Sequence, residues 1–172
     1  MKKPPIILAS TSPRRKELME KTGLKFKIVA PDYEEDMSLK LSPKKLAAVL
    51  SMGKAMSIVP RHGEAVIISA DTFIVFGDRV IGKPKTKKEA EKMLRKFSGK
   101  KHSVLTGLAL VWKAKNKQFS EVVETKVTFN KLSDSMIKSY LSTDEPMDKA
   151  GAYAIQGALA KGLESFGLSI YK

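Results

Sequence analysis

The sequence predicts a mixed α/β protein of one domain, and three observations carry that expectation. Apolar runs, turn residues and amphipathic stretches alternate along the whole chain, with no internal repeat and no low-complexity segment. The 172 residues suffice for one compact core but not for a second full domain. Hydrophobic residues at 42% and charged residues at 29% give the balance of an ordered globular chain.

The elements follow in order. Ile6 to Ala9 is a short buried strand, and the turn Ser10-Thr11-Ser12-Pro13 opens a helix with Ser12 as its cap and Pro13 at its first position. That helix runs to Thr22, ahead of Gly23. Phe26 to Ala30 is a second strand, followed by an acidic loop holding Asp32, Glu34, Glu35 and Asp36. A long helix starts at Ser42 and Pro43, with Leu46, Ala47, Val49, Leu50, Ala55, Met56 and Ile58 on one apolar face and Pro60 closing it. Gly53 is a weak spot within it, costing about 1 kcal/mol against alanine. Ala65 to Ala70 is an apolar strand ending in Asp71 and Thr72, and Phe73 to Phe76 with Arg79 to Gly82 form a hairpin across Gly77 and Asp78. Thr86 and Glu89 make a capping box for a helix that Gly99 ends. Ser103 to Lys113 and Phe119 to Phe129 are long strands turning near Asn116, and Ser133 caps a last helix through Leu141.

Composition excludes several classes of function. Without cysteine there is no disulfide, no thiolate zinc site and no cysteine nucleophile, so any metal is held by oxygen or by the two histidines. No apolar run approaches the roughly 20 residues that cross a bilayer, and the first nine residues lack a signal-peptide cleavage pattern, so a cytoplasmic protein is expected. Thirty-two basic against 18 acidic residues give a net charge of +14, an attraction toward nucleotides, nucleic acid or anionic membranes. A solvated lysine-rich surface accounts equally for that charge. P-loop, Gly-x-Gly-x-x-Gly and His-Glu-x-x-His motifs are absent from the sequence. His62 and His102 stand alone and read as structural or solvated, and Trp112 and the phenylalanines read as core.

Five places can carry chemistry. The turn Leu8-Ala-Ser-Thr-Ser-Pro-Arg-Arg15 offers backbone N–H groups, hydroxyls and the guanidinium groups of Arg14 and Arg15 to a phosphate, though the same pattern fits an ordinary capped helix. Asp71 stands where a buried strand emerges, where a carboxylate holds Mg²⁺ or activates water, or simply starts a turn. Glu34 and Glu35 can add hard oxygen ligands or belong to a wet loop. The Gly82-Lys83-Pro84 turn presents one ammonium to a phosphate oxygen. Lys54, between Gly53 and Ala55, either points into a cleft or snorkels to solvent.

Together these pieces resemble the Maf family, also called septum formation inhibitor proteins, over residues 5 to 157. The resemblance rests on Leu8 to Leu18, Lys54-Ala55, Ala70-Asp71-Thr72, Gly82-Lys83-Pro84, Ser98-Gly99 with His102, and Glu145 to Gly157. It implies an α/β fold with a two-lobed mixed sheet around a central nucleotide cleft, similar to the inosine triphosphate pyrophosphatase fold, and a homodimer. It further implies a nucleoside triphosphate pyrophosphatase, with Asp71 as general base, Glu34 as a carboxylate partner for metal or water, and Lys54 and Lys83 as phosphate ligands. Ser10 and Arg14 belong by resemblance to the phosphate-binding turn. Arg14, Thr72 and Gln156 match the dTTP/UTP branch, whereas a tryptophan after the proline marks the 7-methyl-GTP branch.

The implied cofactor is a divalent cation, Mg²⁺ or Mn²⁺, on Glu34 and Asp71, since carboxylates and phosphate oxygens suit both ions. The alternatives are another nucleotide, such as 7-methyl-GTP or CTP, for the same chemistry, and a non-enzymatic nucleic-acid-binding or division-regulating protein. Nucleic acid is not required by the enzymatic reading, and no membrane is. From Ala158 to Lys172 the chain departs from the family pattern.

Overall fold

A computed structural model describes residues 3–143, 145–153 and 168–171. Its elements are β1 (Ile6–Ala9), α1 (Pro13–Glu20), β2 (Lys27–Val29), α2 (Pro43–His62), β3 (Val66–Phe76), β4 (Arg79–Ile81), α3 (Lys87–Phe97), β5 (Lys101–Trp112), β6 (Lys117–Phe129), α4 (Asp134–Leu141) and β7 (Leu168–Tyr171). The class is mixed α/β. Among the described residues the sheet order is β2-β1-β3-β5-β6-β7, with β4 paired to β3. β1 lies parallel to both β2 and β3, while β4 and β7 run antiparallel to β3 and β6. The unbroken apolar run of β1 suits a strand with parallel neighbours on both sides.

The chain divides into two compact units, Met1–Asp71 with Thr106–Val123, and Thr72–Leu105 with Glu124–Lys172. In the first, Ile7, Ala9 and Ile67 of the sheet pack with Ala55 and Ile58 of α2 and with Ala109 and Val111 of β5. The helix approaches β5 at backbone distance. A Cβ on Gly107 would lie 2.1 Å from the Ala47 carbonyl oxygen, so only glycine fits there. In the second unit, Ala90, Leu94 and Phe97 of α3 pack with Val127, Phe129, Ile137, Tyr140 and Tyr153. Thr86 and Ser133 cap α3 and α4 through their hydroxyls, as the sequence predicts, accepting from the amides of Glu89 and Met136.

Four local expectations change. Pro60 does not close α2, which continues to His62. Its missing N–H deprives the carbonyl of Met56, and Met56 is exposed, so water can take that role. The strand at Val66 does not end at Asp71 but continues to Phe76, with Ile67, Ser69, Asp71 and Phe73 buried on one side of the alternation. Ser12 makes no side-chain cap; its N–H donates instead to Ser10 Oγ at 3.2 Å. Phe119, read as core, is exposed on β6, and Val49 and Met56, read on the apolar face of α2, are exposed as well.

Candidate active site

The site in the first unit is built on two rungs between α2 and β3. Ser69 Oγ donates to the Ser51 carbonyl at 2.6 Å, with both residues fully buried. Three residues on in the helix and two on in the strand, each on the same face as its predecessor, stand Lys54 and Asp71. Lys54 Nζ donates to Asp71 Oδ1. Asp71 is 4% exposed and Lys54 6%, so the ion pair is held out of bulk water. Lys54 does not snorkel: a short, well-placed acceptor and small neighbours keep the ammonium inside.

Lys54 has a second partner, Glu35 Oε1 at 2.6 Å, and the Glu35 side chain is half-exposed. Glu34, which the resemblance gives as a carboxylate partner for metal or water, is exposed, as is Glu35. The loop carrying both glutamates has no helical or strand period, so neighbouring carboxylates cannot be told apart in the sequence. Tyr33 seats the loop on α2: a Cβ on Gly53 would lie 2.3 Å from the Tyr33 ring. Gly53 is therefore the space the tyrosine occupies, not merely a weak point of the helix.

Arg15 completes the cluster. Its Nη1 donates to Ser10 Oγ at 3.3 Å, and Ser10 is buried. Burial pushes the Arg15 guanidinium below its ordinary value, against the opposing pull of the Asp71 and Glu35 charges, with Arg14 adding to the lowering. A guanidinium stays charged through such a shift. Arg15 thus feels the charges of both carboxylates that hold Lys54. Arg14, its neighbour in the turn, is half-buried.

The remaining predicted residues lie elsewhere. Thr72 follows Asp71 in β3 and is exposed where Asp71 is buried. Lys83 belongs to the second unit, exposed between Gly82 and the buried Pro84. The Gly82 carbonyl accepts from the Gly151 amide at 2.8 Å, fastening that turn to the segment after Lys149. Gln156 and the segment from 158 to 167 lie outside the described residues. His102 is structural, as predicted: it is buried against Phe97 with ring centroids 4.6 Å apart, and its Nε2 meets the Tyr153 hydroxyl. Burial lowers its pKa to about 4 and raises that of Tyr153.

Among the described residues no three His, Asp or Glu side chains gather as a ready-made metal cage. Asp71 and Glu35 nevertheless converge on one cation, Lys54 Nζ. A magnesium ion is commonly bound through one or two carboxylates plus substrate phosphates, which this donor pair fits.

With that geometry in view, the family model for Maf-like proteins matches residues 5–170. The chain belongs to the Maf family. The match runs past Gly157, where the motif resemblance ends. Curated relatives named dTTP/UTP pyrophosphatase include one from Geobacillus sp. (strain WCH70), 44% identical over 155 residues, which are 90% of this chain and 82% of that protein. Another, from Bacillus cytotoxicus, is 44% identical over 88% of this chain and 78% of its own length. A third, from Clostridioides difficile (strain 630), is 43% identical over the same shares. No helix among this Maf-family chain's described residues is long and apolar enough to cross a membrane.

Proposed function

We propose that this chain is a nucleoside triphosphate pyrophosphatase that hydrolyses dTTP and UTP to the monophosphate and pyrophosphate. The observation that carries the reading is the buried Lys54–Asp71 pair, with Glu35 on the same ammonium. Its substrate choice rests on the relatives that bear that name. Water attacks the α-phosphorus and its proton passes to an Asp71 oxygen. The new P–O bond forms as the α–β anhydride bond breaks, and the electron pair leaves with pyrophosphate. Lys54, held by Glu35 and Asp71, fixes the carboxylate's orientation, and Arg15 and Lys83 take phosphate charge.

Ser10 and Arg14 hold the phosphate turn in this reading, and Arg14, Thr72 and Gln156 select the pyrimidine, where an amide can donate and accept along the base edge. A divalent cation, Mg²⁺ or Mn²⁺, held by Asp71 and Glu35 with the substrate phosphates, supplies charge neutralisation on the leaving group. A homodimer and a cytoplasmic setting accompany the proposal. The test is release of pyrophosphate and monophosphate from a panel of canonical and modified triphosphates by the wild type and Asp71→Asn. Turnover of dTTP and UTP by the wild type, and its loss in the variant, supports the reading. Preference for 7-methyl-GTP or CTP overturns the pyrimidine assignment, and no turnover of any triphosphate overturns the enzyme.

A further inference from the structure

The chain's positive charge is not evenly distributed. Residues 83–101 carry nine basic side chains against two acidic ones, a net of +7 and half of the chain's +14. One of those acids, Glu91, is engaged by Arg95 at 2.9 Å, and Arg95 also meets Asp134. Lys88, Lys92 and Lys96 recur at four-residue spacing, so they stand in one row along α3, about 6 Å apart in rise. Among the described residues no ion pair is recorded for these three, nor for Lys100 and Lys101 beyond the helix. Lys131 borders the same end, its Cγ 3.4 Å from where a Cβ on Gly99 would stand.

Like charges packed this densely repel one another, and a polyanion relieves the repulsion as the lysines displace the cations condensed on its phosphates. An aromatic ring lies among them. Lys96 Nζ is 5.0 Å and Lys100 Nζ 5.8 Å from the Phe76 ring centroid, and Phe76 is half-buried at the end of β3. A ring flanked by two ammonium groups is the combination that single-stranded nucleic acid uses: bases stack while phosphates meet cations. A lipid surface fits less well, because the apolar side of α3 (Ala90, Leu94, Phe97) is consumed by the core and leaves nothing to insert.

We propose that the exposed face of α3, with Phe76 at its end, is a sequence-independent binding surface for single-stranded nucleic acid. None of Lys88, Lys92, Lys96 and Phe76 is among the residues proposed for hydrolysis, and the surface does not depend on that chemistry. Lysines meet phosphates as point charges without reading bases, so the interaction is salt-sensitive and tolerant of sequence.

The test is fluorescence anisotropy of a labelled oligodeoxyadenylate of about 20 nucleotides, longer than one such site, titrated with the full chain without divalent cation. Lys88→Ala/Lys92→Ala/Lys96→Ala is compared with Lys25→Ala/Lys27→Ala/Lys40→Ala, which removes equal charge elsewhere. The α3 triple should weaken binding roughly tenfold or more and flatten the slope of log affinity against log salt by about 2, at about 0.7 per lost phosphate contact. The control triple should leave that slope close to the wild type's, and Phe76→Leu should weaken binding while keeping the slope. Unchanged nucleotide turnover and thermal unfolding in the α3 triple show that it is folded. Equal effects of the two triples, or no oligonucleotide binding at about 50 mM salt by the wild type, overturn the proposal. Binding to phosphatidylserine vesicles without binding to the oligonucleotide overturns it too.

Discussion

Lys54 on α2 donates to Asp71 on β3 one rung beyond the place where Ser69 donates to the Ser51 carbonyl. The serine rung sets the separation of helix and strand, and the ion pair then forms without further adjustment of either backbone. Removing the ammonium leaves Asp71 buried without its ion-pair partner, with only the Arg15 charge to oppose it and Glu35 adding like charge. Lys54→Met should therefore lower the free energy of unfolding by about 3–5 kcal/mol. Urea denaturation of the two proteins at neutral pH measures this. A loss below about 0.5 kcal/mol, the size of an ordinary surface change, would falsify a structural role for the pair.

Asp71→Asn separates chemistry from stability. The amide keeps an acceptor for Lys54, and Glu35 keeps its own bond to the same ammonium. Turnover of the preferred triphosphate should fall by about 10²–10⁴, the usual contribution of a positioned base, while substrate binding persists. Isothermal titration with a non-hydrolysable analogue, beside single-turnover kinetics, distinguishes the two. Near-normal turnover would remove Asp71 from the role of base.

Two glycines against α2 differ in what they tolerate. At Gly107 an added methyl meets the Ala47 backbone carbonyl at 2.1 Å, which cannot move without shifting the helix. Gly107→Ala should cost at least about 1–3 kcal/mol, as overpacking does, and should depress activity by displacing Lys54. At Gly53 the obstacle is the far end of the Tyr33 side chain, which can swing away. Gly53→Ala gains up to about 1 kcal/mol of helix propensity, so its melting temperature should stay near the wild type's. Activity should still fall as Tyr33 draws Glu35 off the ammonium. A large drop in melting temperature for Gly53→Ala alone would contradict this division.

What was legible in the sequence follows from how local each signal is. The caps at Thr86 and Ser133 and the apolar run of β1 depend on a few adjacent residues, and the structure shows both hydroxyl caps and the strand as read, although the Glu89 carboxylate of the expected capping box accepts from the Lys85 amide and not from that of Thr86. Asp71 misleads because a carboxylate interrupts an apolar run, while its partner lies 17 residues away on another element. The strand continues through it, and Lys54 meets the buried carboxylate. Pro60 misleads for the opposite reason: a proline in the last exposed turn costs a helix little, and only tertiary placement reveals the exposure. That Glu35 meets Lys54 depends on where Tyr33 is seated against Gly53, which no periodicity in the loop encodes.

That contact has a direct consequence for the cation. If Asp71 and Glu35 hold it, EDTA should abolish turnover and Mg²⁺ should restore it. Glu35→Gln should then raise the Mg²⁺ concentration for half-maximal rate by roughly tenfold, the lower range for loss of a metal-site group. Glu34→Gln should leave it unchanged. A Mg²⁺ titration of activity for the three proteins decides the matter. A larger effect at Glu34 would return the metal role to the residue the sequence suggested.

His102 gives the fold a pH dependence of predictable sign. Its pKa falls from an ordinary 6.5 to about 4 because burial disfavours the imidazolium. The unfolded chain therefore binds a proton between those values that the folded chain refuses. Stability from this source is complete above pH 6.5, declines as pH falls, and reaches its full loss below pH 4. The loss amounts to at most roughly 3–4 kcal/mol at 1.36 kcal/mol per unit. His102→Gln cannot titrate, so its unfolding free energy should vary less over that window, although it loses packing against Phe97 and is less stable at neutral pH. Urea unfolding of both proteins in steps from pH 7 to pH 4 supplies the comparison. Parallel curves would mean that His102 takes up its proton equally in both states, and that burial leaves its titration untouched.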